Sequence, residues 1–168
     1  MDIEKLAPGI IGAFVGVIGW LFVAVYIQRR QFVRQARNAA RAVYFELEVN
    51  RLSVEVAREY GSYTPLNRSS FERLLPELAM LLRPAELRTI VAAYMSQAGY
   101  QQIASDDDLP KGVRTQALTA IIDAHHDALE LLRGRSFSPS ERRGLDEDVR
   151  VDPSATRGED SAGAAVNR

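Results

Sequence analysis

The stretch "DAHHDALE", residues 123–130, holds both histidines of the chain. Asp123, His126, Asp127 and Glu130 recur at steps of three and four, which places them on one face of a helix. Imidazoles and carboxylates are ligands for divalent metals. One helix alone supplies few convergent ligands, however, and the HExxH pattern is absent. The expectation is therefore a solvated face with no metal role. His125 falls on the apolar side and is expected as a hydrogen-bonded histidine of the core.

A second polar pair lies in "FELEVN", residues 45–50. Glu46 and Asn50 face the same way at i, i+4, as Glu48 does not. A hydrogen-bonded polar contact buried between helices is the expected role. The alternative is an open site, at Glu46/Asn50 or at Asp123/His126, serving a membrane-anchored ligand sensor or enzyme. Asp106, Asp107 and Asp108 stand before Pro110. No ligand set of cation-binding spacing follows them, so they are expected to favour the positive end of a helix. The chain has no cysteine, which excludes disulfides, thiolate metal sites and cysteine nucleophiles. It also lacks GxSxG, a phosphate loop and a dinucleotide fingerprint, so neither a catalytic residue nor a cofactor is expected.

The elements that must position these residues begin with an apolar run. Residues 6–27 carry no charge. As a helix they extend roughly 33 Å, enough for a hydrocarbon core about 30 Å thick. A removable signal fits poorly. The leader holds Asp2, Glu4 and Lys5, the run is long, and its end "VYIQRR" offers no small-residue cleavage site. Gly9, Gly12, Gly16 and Gly19 line one side of this helix, and a small-xxx-small face lets two backbones approach closely in lipid. Arg29, Arg30, Arg34, Arg37 and Arg41 follow, with no acid before Glu46. The positive-inside rule then puts residues 1–5 outside and the rest in the cytoplasm. Arg29, Arg30, Arg34 and Arg37 are expected to meet anionic lipid headgroups. The cluster abuts the apolar run and lacks interleaved aromatics, so nucleic acid is not an expected partner. Only Lys5 and Lys111 are lysine; with abundant alanine this is the composition of a GC-rich bacterial genome.

Residues 28–133 read as a helical domain. Val33, Ala36, Ala40, Val43, Leu47, Asn50, Val54 and Ala57 alternate at three and four, a heptad seam expected to face the other helices of the same chain. "GSYTPLN" reads as a loop. Ser69 and Glu72 match a capping box, Pro76 should kink or restart the helix that follows, and Pro84 should open the next. The last helix is expected over about 110–132. After Gly134 the sequence turns polar and is expected to be disordered through 168.

Glu46, Leu47 and Asn50, then Ser70, Phe71, Leu82, Pro84, Leu87 and Tyr94, occur in an order that resembles a group of small bacterial and archaeal membrane proteins of uncharacterised function. These have one N-terminal span and an E-L-x-x-N helical domain; Phe71 stands where tryptophan is more frequent. The resemblance covers residues 6–105 and implies an architecture, not an activity. The combined expectation is an all-α protein: one spanning helix, a cytoplasmic bundle of about four helices and a disordered tail. It would sit in a bacterial inner membrane as an interaction or scaffold module, associating with a second copy or another membrane protein. A phage or defence accessory role is a further alternative by analogy.

Overall fold

The computed structural model describes the backbone of residues 3–148 and the side chains of residues 16–146. The described residues are all-α. α1 spans Ile3–Tyr60, α2 Ser69–Leu81, α3 Pro84–Ser105, α4 Lys111–Ser136 and α5 Pro139–Asp148. The first four belong to one compact unit ending at Ser136, and α5 belongs to a second beginning at Phe137.

In the first unit, the C-terminal half of α1 is the spine. α4 and α2 pack on it, α3 packs on α4, and α2 meets α3. The heptad seam makes these contacts. Ala36, Ala40, Val43, Leu47, Asn50, Val54 and Ala57 are all buried, whereas Val33, one turn earlier, is exposed. Small side chains at 36 and 40 let neighbouring backbones come close, and the larger Val43, Leu47 and Val54 fill the space further along. Beyond Asn50 the core closes with Val54, Ala57, Tyr100, Ile103, Leu118 and Ile121, and the loop residues Tyr63 and Leu66 pack against them.

The helix ends follow local chemistry in some places and not in others. α1 stops where Gly61 takes φ +69° and returns its N–H to the Ala57 carbonyl at 3.0 Å. Glycine suits this left-handed C-terminal cap because it has no Cβ to clash. α3 opens on Pro84, and Glu86 accepts the Arg83 N–H at 2.9 Å. Glu86 also pairs with Arg135 of α4, tying the start of one helix to the end of the other.

Several expectations are corrected. The Ser69/Glu72 capping box does not form: Arg68 occupies the N-cap, Ser69 is already helical, and Glu72 pairs with Arg68 at 2.6 Å. α2 continues through Pro76, which removes one backbone donor without ending the helix. Asp106 accepts the Asp108 N–H within its own turn, so this acid shapes the loop instead of capping α4. α4 runs past Gly134 to Ser136. The segment expected to be disordered from 134 forms α5 up to Asp148. There Ser138 and Glu141 make a capping box, with Ser138 N–H donating to Glu141 at 2.7 Å and Glu141 N–H to Ser138 Oγ at 3.3 Å. The remainder of the expected tail, 149–168, lies outside the described residues.

Among the described residues no helix is long and apolar enough to cross a membrane. The expected span of 6–27 is helical throughout as part of α1, but the side chains of its first ten residues lie outside the description. Gly9 and Gly12 fall in that part.

Leu47 is fully buried on the spine and Met95 is exposed on α3. Leu47→Ala is expected to lower stability by about 2–5 kcal/mol, and Met95→Ala to change it by less than about 0.5 kcal/mol. Urea unfolding of the full chain measures both.

Candidate functional site

α1 brings Glu46 and Asn50 to the same face, one turn apart, against the start of α2 and the loop before it. Both are buried. They do not bond to each other; each holds a different part of the chain. Glu46 Oε2 accepts the Ser70 N–H at 2.7 Å and the Ser69 hydroxyl at 3.4 Å. Glu46 Oε1 accepts the Phe71 N–H at 3.3 Å and the Tyr94 hydroxyl at 2.6 Å. A carboxylate from a distant helix thus satisfies the amides at the start of α2. It also places its charge at the positive end of the α2 dipole. The amides a Ser69/Glu72 box would use are taken by other groups: the Ser69 N–H goes to Asn67 Oδ1 and the Glu72 N–H to the Arg68 carbonyl at 3.0 Å.

Asn50 makes a two-bond clasp. Its Nδ2 donates to the Asn67 carbonyl at 2.6 Å, and its Oδ1 accepts the Asn67 N–H at 2.9 Å. The side-chain amide reads the peptide as a neighbouring strand would. Tyr100 of α3 does the same to Thr64: its hydroxyl donates to the Thr64 carbonyl at 3.1 Å and accepts the Thr64 N–H at 3.2 Å. The loop 61–68 is therefore pinned from α1 and from α3 through the backbone groups of Asn67 and Thr64. Asn67 completes the turn by accepting the Ser69 N–H at 3.0 Å.

Aromatic packing closes the cluster. Phe71 and Tyr94 stack with ring centroids 4.1 Å apart and planes at 13°. Burial, reinforced by the hydrogen bond and charge of Glu46, pushes the Tyr94 hydroxyl well above its usual range, so it remains a donor. Sequence reasoning singled out Glu46 and Asn50 and placed Ser70, Phe71 and Tyr94 in the same ordered motif. It missed Asn67 and Tyr100 as their partners and counterparts. A clustered turn residue such as Asn67 was the available signal. Chemically the cluster is closed. Four donors occupy the two oxygens of Glu46, and Asn50 spends both amide atoms on the N–H and C=O of one residue.

The histidine face is different. Asp123, His126, Asp127 and Glu130 are all exposed, and no group of three or more metal-ligating side chains exists among the described residues. His125 is fully buried, with Nδ1 2.9 Å from the Ile121 carbonyl. That distance assigns the proton to Nδ1. Its Nε2 has no hydrogen-bond partner, so this core histidine is half satisfied. Burial holds its pKa below the ordinary value.

The remaining sequence candidates lie on α1. Arg29, Arg30, Arg34 and Arg37 are exposed, and among the described residues none pairs with a carboxylate. Arg30 lies over the Tyr26 ring, 5.2 Å from its centroid, and with Val33 these side chains line an open groove of about 430 Å³. A Cβ added at Gly16 or Gly19 meets nothing within 4 Å. No family model, curated protein or solved structure matches the chain.

Two measurements follow. Tyr94→Phe strips one donor from a buried carboxylate and is expected to cost about 1–3 kcal/mol. Combined with Glu46→Gln, the loss should fall short of the sum of the single losses; simple additivity would show that the two groups do not interact. His125 gives the second. Its folded pKa lies below the unfolded value near 6.5, so the unfolded chain takes up the proton first as pH falls. Stability is complete above that value and declines below it, until the folded pKa is reached. Unfolding curves at neutral and mildly acidic pH should differ less in His125→Gln than in the parent.

Proposed function

We propose that this chain is a single-pass, membrane-anchored helical interaction protein, self-associating, with its bundle in the cytoplasm of a bacterium. The observation that carries the reading is the surface of α1 before the bundle. Val17, Ile18, Trp20, Leu21, Phe22, Val23, Val25, Tyr26 and Ile27 are exposed, and at 100° per residue they cover every side of the helix. Water would penalise that surface at roughly 25 cal/mol for each Å² exposed. A bilayer accommodates it, with residues 6–27 as the span.

The arginines fit the same frame. Arg29, Arg30, Arg34 and Arg37 follow the apolar surface directly and have no acidic partner among the described residues. That is the chemistry of a cytoplasmic headgroup layer rich in anionic lipid. Gly16 and Gly19, open on their helix face, support close approach of a second span together with Gly9 and Gly12. The sensor or enzyme alternative draws no support from Glu46 and Asn50, whose polar atoms are spent on the chain itself, or from Asp123 and His126, which face solvent.

The full chain is expected to stay in the membrane pellet through high-salt and alkaline carbonate washes. Protease should reach the bundle only from the cytoplasmic side. Release by carbonate would overturn the anchor. The combined substitutions Arg29→Glu, Arg30→Glu, Arg34→Glu and Arg37→Glu are expected to invert or abolish insertion. Gly12→Leu with Gly16→Leu is expected to reduce association between spans; an unchanged association rejects the glycine face.

A further inference from the structure

One carboxylate oxygen at the junction of α1 and α2 has no bonding partner among the described residues. The two helices pack against each other. An open groove of about 430 Å³ lies at their junction, lined by Gln35, Asn38 and Ala39 of α1 and by Leu74 and Glu77 of α2. Glu77 is half-buried, and its Oε2 is buried without a hydrogen-bond partner among the described residues. A carboxylate oxygen removed from water and left unpaired is costly, and buried polar atoms as a rule have partners. Gln35 and Asn38 are exposed, stand one turn apart on α1 and bond to no other described residue. Each amide offers a carbonyl acceptor. The groove thus collects a carboxylate and two amides that the described chain does not use, beside the apolar Ala39 and Leu74. Glu46, also between α1 and α2, is the opposite case, with four donors on its two oxygens.

We infer that this groove binds a primary ammonium group, with Glu77 as its counter-ion and Gln35 and Asn38 as further acceptors. A primary ammonium carries three N–H donors and no acceptor, which matches a site made of three acceptor side chains. The carbon that bears it meets Ala39 and Leu74. Other cations fit less well. A quaternary ammonium has no N–H to give and would leave Glu77 Oε2 unpaired. Calcium and magnesium take roughly six oxygens or more, with carboxylates prominent among them. One carboxylate stands here, and among the described residues no group of three metal-ligating side chains exists. The arginines leave the groove to an incoming cation. Arg34 and Arg37 line the separate groove beside Tyr26, and Arg73, one turn before Glu77 on α2, is exposed and lines neither. The site is independent of the membrane anchor.

Thermal unfolding of the full chain tests this, with ethylammonium chloride as the probe. Tetramethylammonium chloride and sodium chloride at the same ionic strength are the references. At roughly ten times its Kd, ethylammonium is expected to raise Tm by about 3–6 °C over both references. The rise should vanish in Glu77→Gln and shrink in Gln35→Ala and Asn38→Ala. No rise, an equal rise in Glu77→Gln, or an equal effect of tetramethylammonium overturns the site. In sodium chloride, Glu77→Gln should unfold no earlier than the parent, because it removes a charge that the chain leaves unpaired. Earlier unfolding would show that the chain itself uses this carboxylate, and would overturn the inference. The full chain in phosphatidylglycerol vesicles, with and without phosphatidylethanolamine, identifies the source of the ammonium. Stabilisation by phosphatidylethanolamine that is lost in Glu77→Gln assigns it to a lipid headgroup; stabilisation by free ethylammonium alone assigns it to a soluble amine. Either result supports the site. A chain that does not stay with the vesicles fails the anchor and leaves the ethylammonium result standing.

Discussion

A carboxylate on one helix supplies the start of another. Glu46 takes the first amides of α2 and the hydroxyl of Tyr94, so three helices meet at two oxygen atoms. Helix α2 is short and contains a proline, and its N-terminal amides need acceptors wherever water is excluded. With those acceptors fixed on α1, α2 can begin in only one place. The stacked Phe71 and Tyr94 rings then set how α3 lies against that beginning.

Asn50 and Tyr100 extend the same principle to the connecting loop. Each brackets one loop residue, taking its N–H and its C=O. Eight residues without regular structure would otherwise bring unpaired backbone groups to the edge of the core. The loop is thereby held as firmly as a helix end. The apolar residues it carries, Tyr63 and Leu66, can serve as part of the core.

Much of this was legible in the residues. Apolar periodicity located the buried seam of α1, Pro84 marked the start of α3, and the spacing of three and four marked the solvated face around His126 on α4. The polar pair at 46 and 50 stood out because the two share a helix face at i, i+4 and Asn50 interrupts an otherwise apolar seam. What stayed hidden was the identity of their partners. Ser69 and Glu72 offer a complete local cap, and nothing within a few residues reveals that a side chain some two dozen positions earlier takes the Ser70 and Phe71 amides. α5 was hidden for the opposite reason. Ser138 and Glu141 announce a helix start, but the polar composition after Gly134 masked the signal.

The uninterrupted course of α1 from Ile3 to Tyr60 has a mechanical meaning. A helix of that length is a shaft of roughly 87 Å, at 1.5 Å per residue, and it has no break between the apolar part and the bundle. A joint there would let the two ends turn independently. Without one, any rotation or tilt imposed on the apolar end reaches the Glu46 clamp as the same rotation or tilt. The bundle is carried rigidly on the shaft, as a blade is carried by its handle.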